Sequence, residues 1–205
     1  MSPNALLQAL ADSTPSPGGG SAAAMAGALS ASLVAMVAGI SAKKGPDETR
    51  TAMERVAHEA KRLMAAQSAR IEEDDQAYQA VVRAYRLPKE TDEDKTARRT
   101  AIRRATEGAG EVPLATARDA VAAIGLLASA IDRATKSCTS DMKTSVATAR
   151  AAFDGALATV QANVDALEPS GVTRAWAKEI ARLEAELRAS CDRIAAGLEA
   201  GGGGS

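Results

Sequence analysis

Asp74, Tyr78, Val82 and Tyr85 stand at i, i+4, i+8 and i+11, a spacing that on a helix defines one face. The face carries a carboxylate and then two phenols, the only tyrosines of the chain. Such a set can move a proton to and from a bound molecule. The same spacing also describes an amphipathic core stripe with Asp74 as a surface charge, and both readings stand. Asp141, preceded by Ser140, is a second carboxylate at a helix start, suited either to proton transfer or to complementing the helix dipole. Lys43 and Lys44 close a long run of small residues. A lysine there complements a helix C-terminus or, with its pKa lowered by burial, acts as an acid–base group or anion anchor. Asn163, in VQANV, could orient a substrate amide or amine, whereas His58 lies among charges and reads as a surface residue.

The stretch PGGGSAAAMAGALSASLVAMVAGISAKK places Gly18, Gly19, Gly20 and Ser21 ahead of about two dozen small or apolar residues. No Lys-Ser/Thr follows the glycines in the register of a nucleotide phosphate loop. The run has the length of a membrane span, but its Ala, Gly and Ser content gives little transfer free energy and it lacks aromatic belts. Two compatible uses remain. The small residues let neighbouring helices approach closely, and the glycines leave backbone N–H groups open to an anion at a helix N-terminus.

These residues need helices to hold them. Residues 3 to 11 read as a short helix, followed by the breaker cluster STPSPGGG. A helix is expected from Gly20 or Ser21, with Ser21 as N-cap, to about Ala42. Asp47 opens a long helix through Tyr85, marked by Met53, Val56, Leu63, Met64 and Ile71 at helical spacing. Pro88 ends it, and Thr91 caps a helix to about Thr106. Glu111, Val112 and Pro113 are expected to open another, since proline suits a first turn. Thr139 or Ser140 caps a run from Asp141 to Leu167, and a last helix spans about Thr173 to Leu198. No period-2 pattern appears, so the fold class is all-α: an antiparallel helical bundle of about six to seven helices. Residues 1–200 form a single helical domain in this reading. GGGGS, residues 201–205, is set apart as a flexible linker tail.

Composition narrows the function. The 205 residues carry 25 basic and 26 acidic side chains, interspersed, which gives no footprint for nucleic acid or an anionic membrane. One histidine and two cysteines, Cys138 and Cys191, cannot build a His/Cys metal site within one chain. With no basic and apolar leader at the start, the cytoplasm is the expected compartment.

The blocks TPSPGGGSAAAMAGALSASLVAMVAGISAKK and IEEDDQAYQAVVRAYRLPKETDEDK, then SD before an Ala-rich helix and VQANVDAL, occur in this order. In that order the chain resembles the cyclodeaminase/cyclohydrolase family, over about residues 3 to 198. The family comprises the cyclodeaminase domain of formiminotransferase-cyclodeaminase and stand-alone methenyltetrahydrofolate cyclohydrolases. The resemblance implies an all-α homodimer acting on one-carbon adducts of tetrahydrofolate, a folate-like small molecule, without metal or organic cofactor. It implies catalytic roles for Asp74, Tyr78, Asp141 and Lys43. Substrate contacts fall to Gly18, Gly19, Gly20, Ser21, Lys44, Tyr85, Ser140 and Asn163. The chain departs from the family's usual residues in TKSCTSDMKTS, at Thr159–Asn163 and at Gly45–Pro46. A relative turned to another C–N bond reaction and a non-catalytic helical binding dimer are the alternative classes.

Overall fold

The computed structural model describes residues 2–202. Six α-helices follow one another: α1 (Pro3–Ala11), α2 (Gly19–Lys44), α3 (Asp47–Tyr85), α4 (Asp92–Ala130), α5 (Thr139–Asp165) and α6 (Gly171–Gly202). Two short 3-10 turns, Ile131–Arg133 and Lys136–Cys138, join α4 to α5. No strand occurs among the described residues. The first two residues of the expected Gly/Ser linker complete α6, and Gly203 to Ser205 lie outside the described residues.

Helix α2 packs on α3, α5 and α4, while α6 lies chiefly on α4. The α2–α3 seam is antiparallel and built from small residues. Gly20, Ala24, Gly27, Ala31 and Ala38 of α2 are all buried, with Ala24 clustered on Ile71, Ala31 on Leu63, and Ala38 on Met53 and Ala57. Without bulky side chains the two axes can approach to the low end of the ~8–10 Å range. Two rungs need glycine. A Cβ on Gly20 would lie 2.1 Å from Asp74 Oδ1, and one on Gly27 would lie 2.4 Å from Gln67 Nε2. Gly20 and Gly27, like Gln67 and Asp74, are seven residues apart, so the same heptad rung recurs along the seam.

The turns follow local chemistry. Thr91 caps α4 as its sequence indicates: its Oγ1 accepts from Asp94 N–H at 3.0 Å, and Asp94 Oδ2 accepts from Thr91 N–H at 3.1 Å. Ser170 and Thr173 exchange the same kind of bonds at the start of α6. Ser41 Oγ accepts from Thr135 N–H at 2.9 Å and ties the α4–α5 connection to the end of α2.

Three expectations need correction. Pro113 does not open a helix. It is buried inside one continuous α4 of 39 residues. An interior proline costs about 3 kcal/mol, but Leu114, Ala117, Val121 and Ile124 are buried just beyond it, and a single buried Leu or Ile returns about 1.5–3 kcal/mol. On the other side Trp176 of α6 packs where a Gly110 side chain would be and donates from Nε1 to Glu111 Oε1 at 2.5 Å. Ser21 is not the N-cap of α2; that position is Gly18, which has no side chain to cap with. Neither Thr139 nor Ser140 caps α5: the N-cap is Cys138, and Thr139 Oγ1 instead donates to Lys136 O at 2.8 Å.

Two helical segments, Gly19–Lys44 and Asp92–Arg133, are long and apolar enough to cross a membrane by length and composition. Buried residues make up 56% and 61% of their apolar windows, as core helices of a bundle also show.

Candidate active site

The α2 N-terminus, the middle of α3 and the end of α5 meet at one end of the bundle. Of the three glycines only Gly20 is required by packing: a Cβ on Gly18 would make an ordinary 3.5 Å contact with Pro15 O, and one on Gly19 would lie 3.9 Å from Thr159 Oγ1. The absent side chain of Gly20 is the space that the Asp74 carboxyl fills. Ser21, freed from capping, turns its hydroxyl to Asp74 Oδ2 at 2.9 Å, with Ile71 O 3.2 Å away as an alternative acceptor. Ser21 lies in the first turn of α2, where the backbone N–H groups have no partner within the helix. The N–H groups of Gly19 and Gly20 belong to the same first turn.

Burial pushes the Asp74 carboxyl above the ordinary carboxylate range; the Ser21 hydroxyl and N–H pull it part of the way back, and the charge of Asp75 adds to the rise. A carboxyl raised in this way is better matched to proton transfer near neutral pH than an exposed one. Asp75 itself accepts from Ser16 Oγ at 2.6 Å, which ties the proline-rich loop before α2 to α3. Tyr78 stands one turn beyond Asp74 and is half-buried. Thr159 Oγ1 faces Gly19 at the α2 N-terminus, and Asn163, one turn further along α5, donates from Nδ2 to Thr159 O at 2.9 Å. Gly18 to Ser21, Asp74, Tyr78 and Asn163 thus share one end of the molecule. Ser16, Asp75 and Thr159 belong with them. In the sequence Asp75 stands in the EEDD run and Thr159 opens a segment that departs from the family's usual residues, whereas Ser16 carries no signal of its own.

Tyr85 lies elsewhere. It is 52% exposed, about 16 Å along α3 from Asp74, and the Arg98 guanidinium sits 5.5 Å over its ring while donating to its backbone oxygen.

Lys43, Lys44, Ser140 and Asp141 form a separate group. They lie at the other end of α2, whose 26 residues span about 39 Å. Lys44 Nζ bonds Ser137 Oγ at 3.0 Å. Lys43 is exposed and lines a shallow cavity of about 370 Å³ with Arg50, Glu54, His58 and Lys61. Ser140 is exposed and Asp141 half-buried in the first turn of α5. Within one chain the two groups cannot touch the same small molecule. Among the described residues no three His, Cys, Asp or Glu side chains converge as a metal-ligand set.

An all-α bundle with a partly buried carboxyl in a glycine notch at a helix N-terminus defines the class of protein. A family model described as formiminotransferase-cyclodeaminase matches residues 2–182. Methenyltetrahydrofolate cyclohydrolase of Methylorubrum extorquens is 35% identical over 189 residues, 92% of this chain and 91% of that one. Among solved structures, formiminotetrahydrofolate cyclodeaminase of Thermotoga maritima has the same fold, with a TM-score of 0.87 over 98% of this chain and 96% of that one, at 21% identity. The chain belongs to the formiminotransferase-cyclodeaminase family.

Proposed function

We propose that the protein is a folate one-carbon enzyme that hydrolyses 5,10-methenyltetrahydrofolate to the 10-formyl form, the activity named for its Methylorubrum relative. Closure of the 5-formimino adduct with release of ammonia, the related reaction of the same family, is the second reading, and the fold shared with the Thermotoga cyclodeaminase favours keeping it. The observation that carries the proposal is Asp74, held in the Gly20 notch by Ser21 with its pKa raised.

Cyclohydrolysis needs water to attack the methenyl carbon between N5 and N10. The Asp74 carboxylate accepts the proton that the attacking water loses, and the resulting acid returns a proton to N5 as the C–N5 bond opens. The hydroxyl proton of the carbinolamine is released as the formyl C=O forms, so the reaction liberates one proton net. An anionic Asp74 also attracts the cationic methenyl group, and the first-turn N–H groups of Gly19 and Gly20 offer donors to the oxygen that gains charge. In this reading the substrate carries the one-carbon unit and the protein supplies acid–base groups and donors, with no resident cofactor. The protein works as a homodimer in the cytoplasm, without a membrane or nucleic-acid partner.

The test mixes the protein with 5,10-methenyltetrahydrofolate and follows loss of its near-ultraviolet absorbance, with calorimetric titration of folates alongside. Acceleration over buffer supports the proposal. No acceleration and no heat of binding would overturn it.

A further inference from the structure

The start of α2 lacks the side chain that commonly fixes a helix entry. Its N-cap is Gly18, which makes no side-chain capping bond, and three consecutive glycines leave the backbone many conformations. The chemistry above nevertheless needs the Gly19 and Gly20 N–H groups aimed at the reacting centre. The nearest side-chain tether lies two residues upstream of the cap. Ser16 Oγ donates to Asp75 Oδ1 at 2.6 Å, the length of a hydroxyl bonded to a charged carboxylate.

Ser16 stands between Pro15 and Pro17. Each ring fixes its own φ and restricts the residue before it to extended backbone, so a segment tethered at Ser16 passes the constraint to its neighbours. The Pro15 carbonyl oxygen lies 3.5 Å from where a Gly18 Cβ would stand, which folds the segment against the glycine turn. Upstream the chain is held lightly. Leu6 is the one buried residue of α1, clustered with Ala24 and Ile71, and residues 12–15 are exposed. Ile71 and Asp75, the two attachment points on α3, are one turn apart with Asp74 between them.

Building on the folate reading above, we propose that Asp75 is a positioning residue: through Ser16 it holds the Pro15–Pro17 segment, and with it the Gly18–Gly20 turn, in register with the Asp74 carboxyl. Asp74 and Asp75 are adjacent in one helix, so the proton-transfer group and the N–H donors keep a common frame. Asp75 also acts on Asp74 as a charge, raising its pKa. Other charges are few at this end. Before Lys43 the only charged side chain is Asp12, α5 brings the neutral Thr159 to the glycines, and Arg70, one turn before Asp74, is paired with Asp119 of α4. Tether and charge are therefore separable by mutation.

Ser16→Ala removes the tether and keeps the Asp75 charge. It is expected to lower kcat for 5,10-methenyltetrahydrofolate by about 10- to 100-fold, the range for a misplaced donor, with KM and the acid limb of the pH profile in place. Ser16→Thr, which keeps a hydroxyl, restores kcat. Asp75→Ala is expected to match Ser16→Ala on the pH plateau, and the double variant to be no worse than either, since one bond is lost in each case. Only the variants lacking Asp75 move the acid limb to lower pH. A readout free of catalysis is exchange of the Ala22 N–H, which closes the first turn on Gly18 O at 3.0 Å; it is expected about tenfold faster in Ser16→Ala than in wild type or Ser16→Thr. Wild-type kcat in Ser16→Ala, a loss that Ser16→Thr does not restore, additive losses in the double variant, or Ala22 exchange indifferent to Ser16 overturns the assignment. Wild-type protein with no folate turnover would refute the folate reading, while Ala22 exchange that depends on Ser16 would leave the tether standing.

Discussion

Gly20 and Asp74, on different helices, occupy one space: a Cβ on Gly20 would stand 2.1 Å from Asp74 Oδ1 and 2.7 Å from Cγ. The carboxyl therefore cannot keep its place beside Ser21 if position 20 gains even a methyl group. Gly20→Ala is expected to fold, since alanine favours a helix over glycine, but to lower kcat/KM by about 10²-fold, the loss that a displacement near 1 Å can cause. Steady-state kinetics with circular dichroism separates the two effects.

Gly27 is the control. A Cβ there meets the Gln67 amide at 2.4 Å, and Gln67 Nε2 is the donor to Thr116 O at 3.0 Å. Gly27→Ala is expected to cost about 1–3 kcal/mol in urea unfolding through overpacking, with KM and kcat unchanged. Gln67 Oε1 is buried without a partner, so Gln67→Met, which removes the amide at similar volume, is expected to be neutral or stabilising despite the lost bond.

The α2–α3 pairing shows what a sequence can and cannot carry. The helical spacing of Met53, Val56, Leu63, Met64 and Ile71 marks α3, and the bounds of α2 and α3 follow from breakers on either side. The pairing of Gly20 with Asp74 joins positions 54 residues apart and depends on the register of the seam, which no local pattern states. Pro113 misled for the complementary reason. Its local signal is a helix start, and contacts from α6 override it through Gly110 and Trp176. The candidate residues were recognisable by type, but their division between two ends of α2 needed the length and direction of the helices.

Trp176 anchors α6, which has few contacts beyond α4 and the turn after it. Its ring is 2% exposed, and Arg118 pairs with Glu179 one turn further on at 2.6 and 2.8 Å. Trp176→Ala is expected to cost about 3–5 kcal/mol. As the single tryptophan, its fluorescence reports α6 docking directly.

Asp74 affects stability with the opposite sign from a salt-bridged carboxylate. Its folded pKa lies above the ordinary value because burial disfavours the charge. The folded state therefore holds the proton more tightly, and stability falls as pH rises from the unfolded value through the folded one. Asp74→Asn is expected to raise Tm at pH 7 relative to wild type, with the gain vanishing below about pH 4, where both states are protonated. Thermal melts across pH 3 to 8 check this.

The role proposed for Asp74 is to carry the proton. The pH dependence of kcat/KM for 5,10-methenyltetrahydrofolate measures it most directly, with Ser21→Ala and Asp74→Asn beside wild type. The wild-type acid limb is predicted above the usual carboxylate value of about 4. Ser21→Ala, which removes a donor to the charged form, moves the limb to higher pH. Asp74→Asn abolishes it and lowers the plateau by about 10²-fold or more. An acid limb that stays in place in both variants would contradict the assignment.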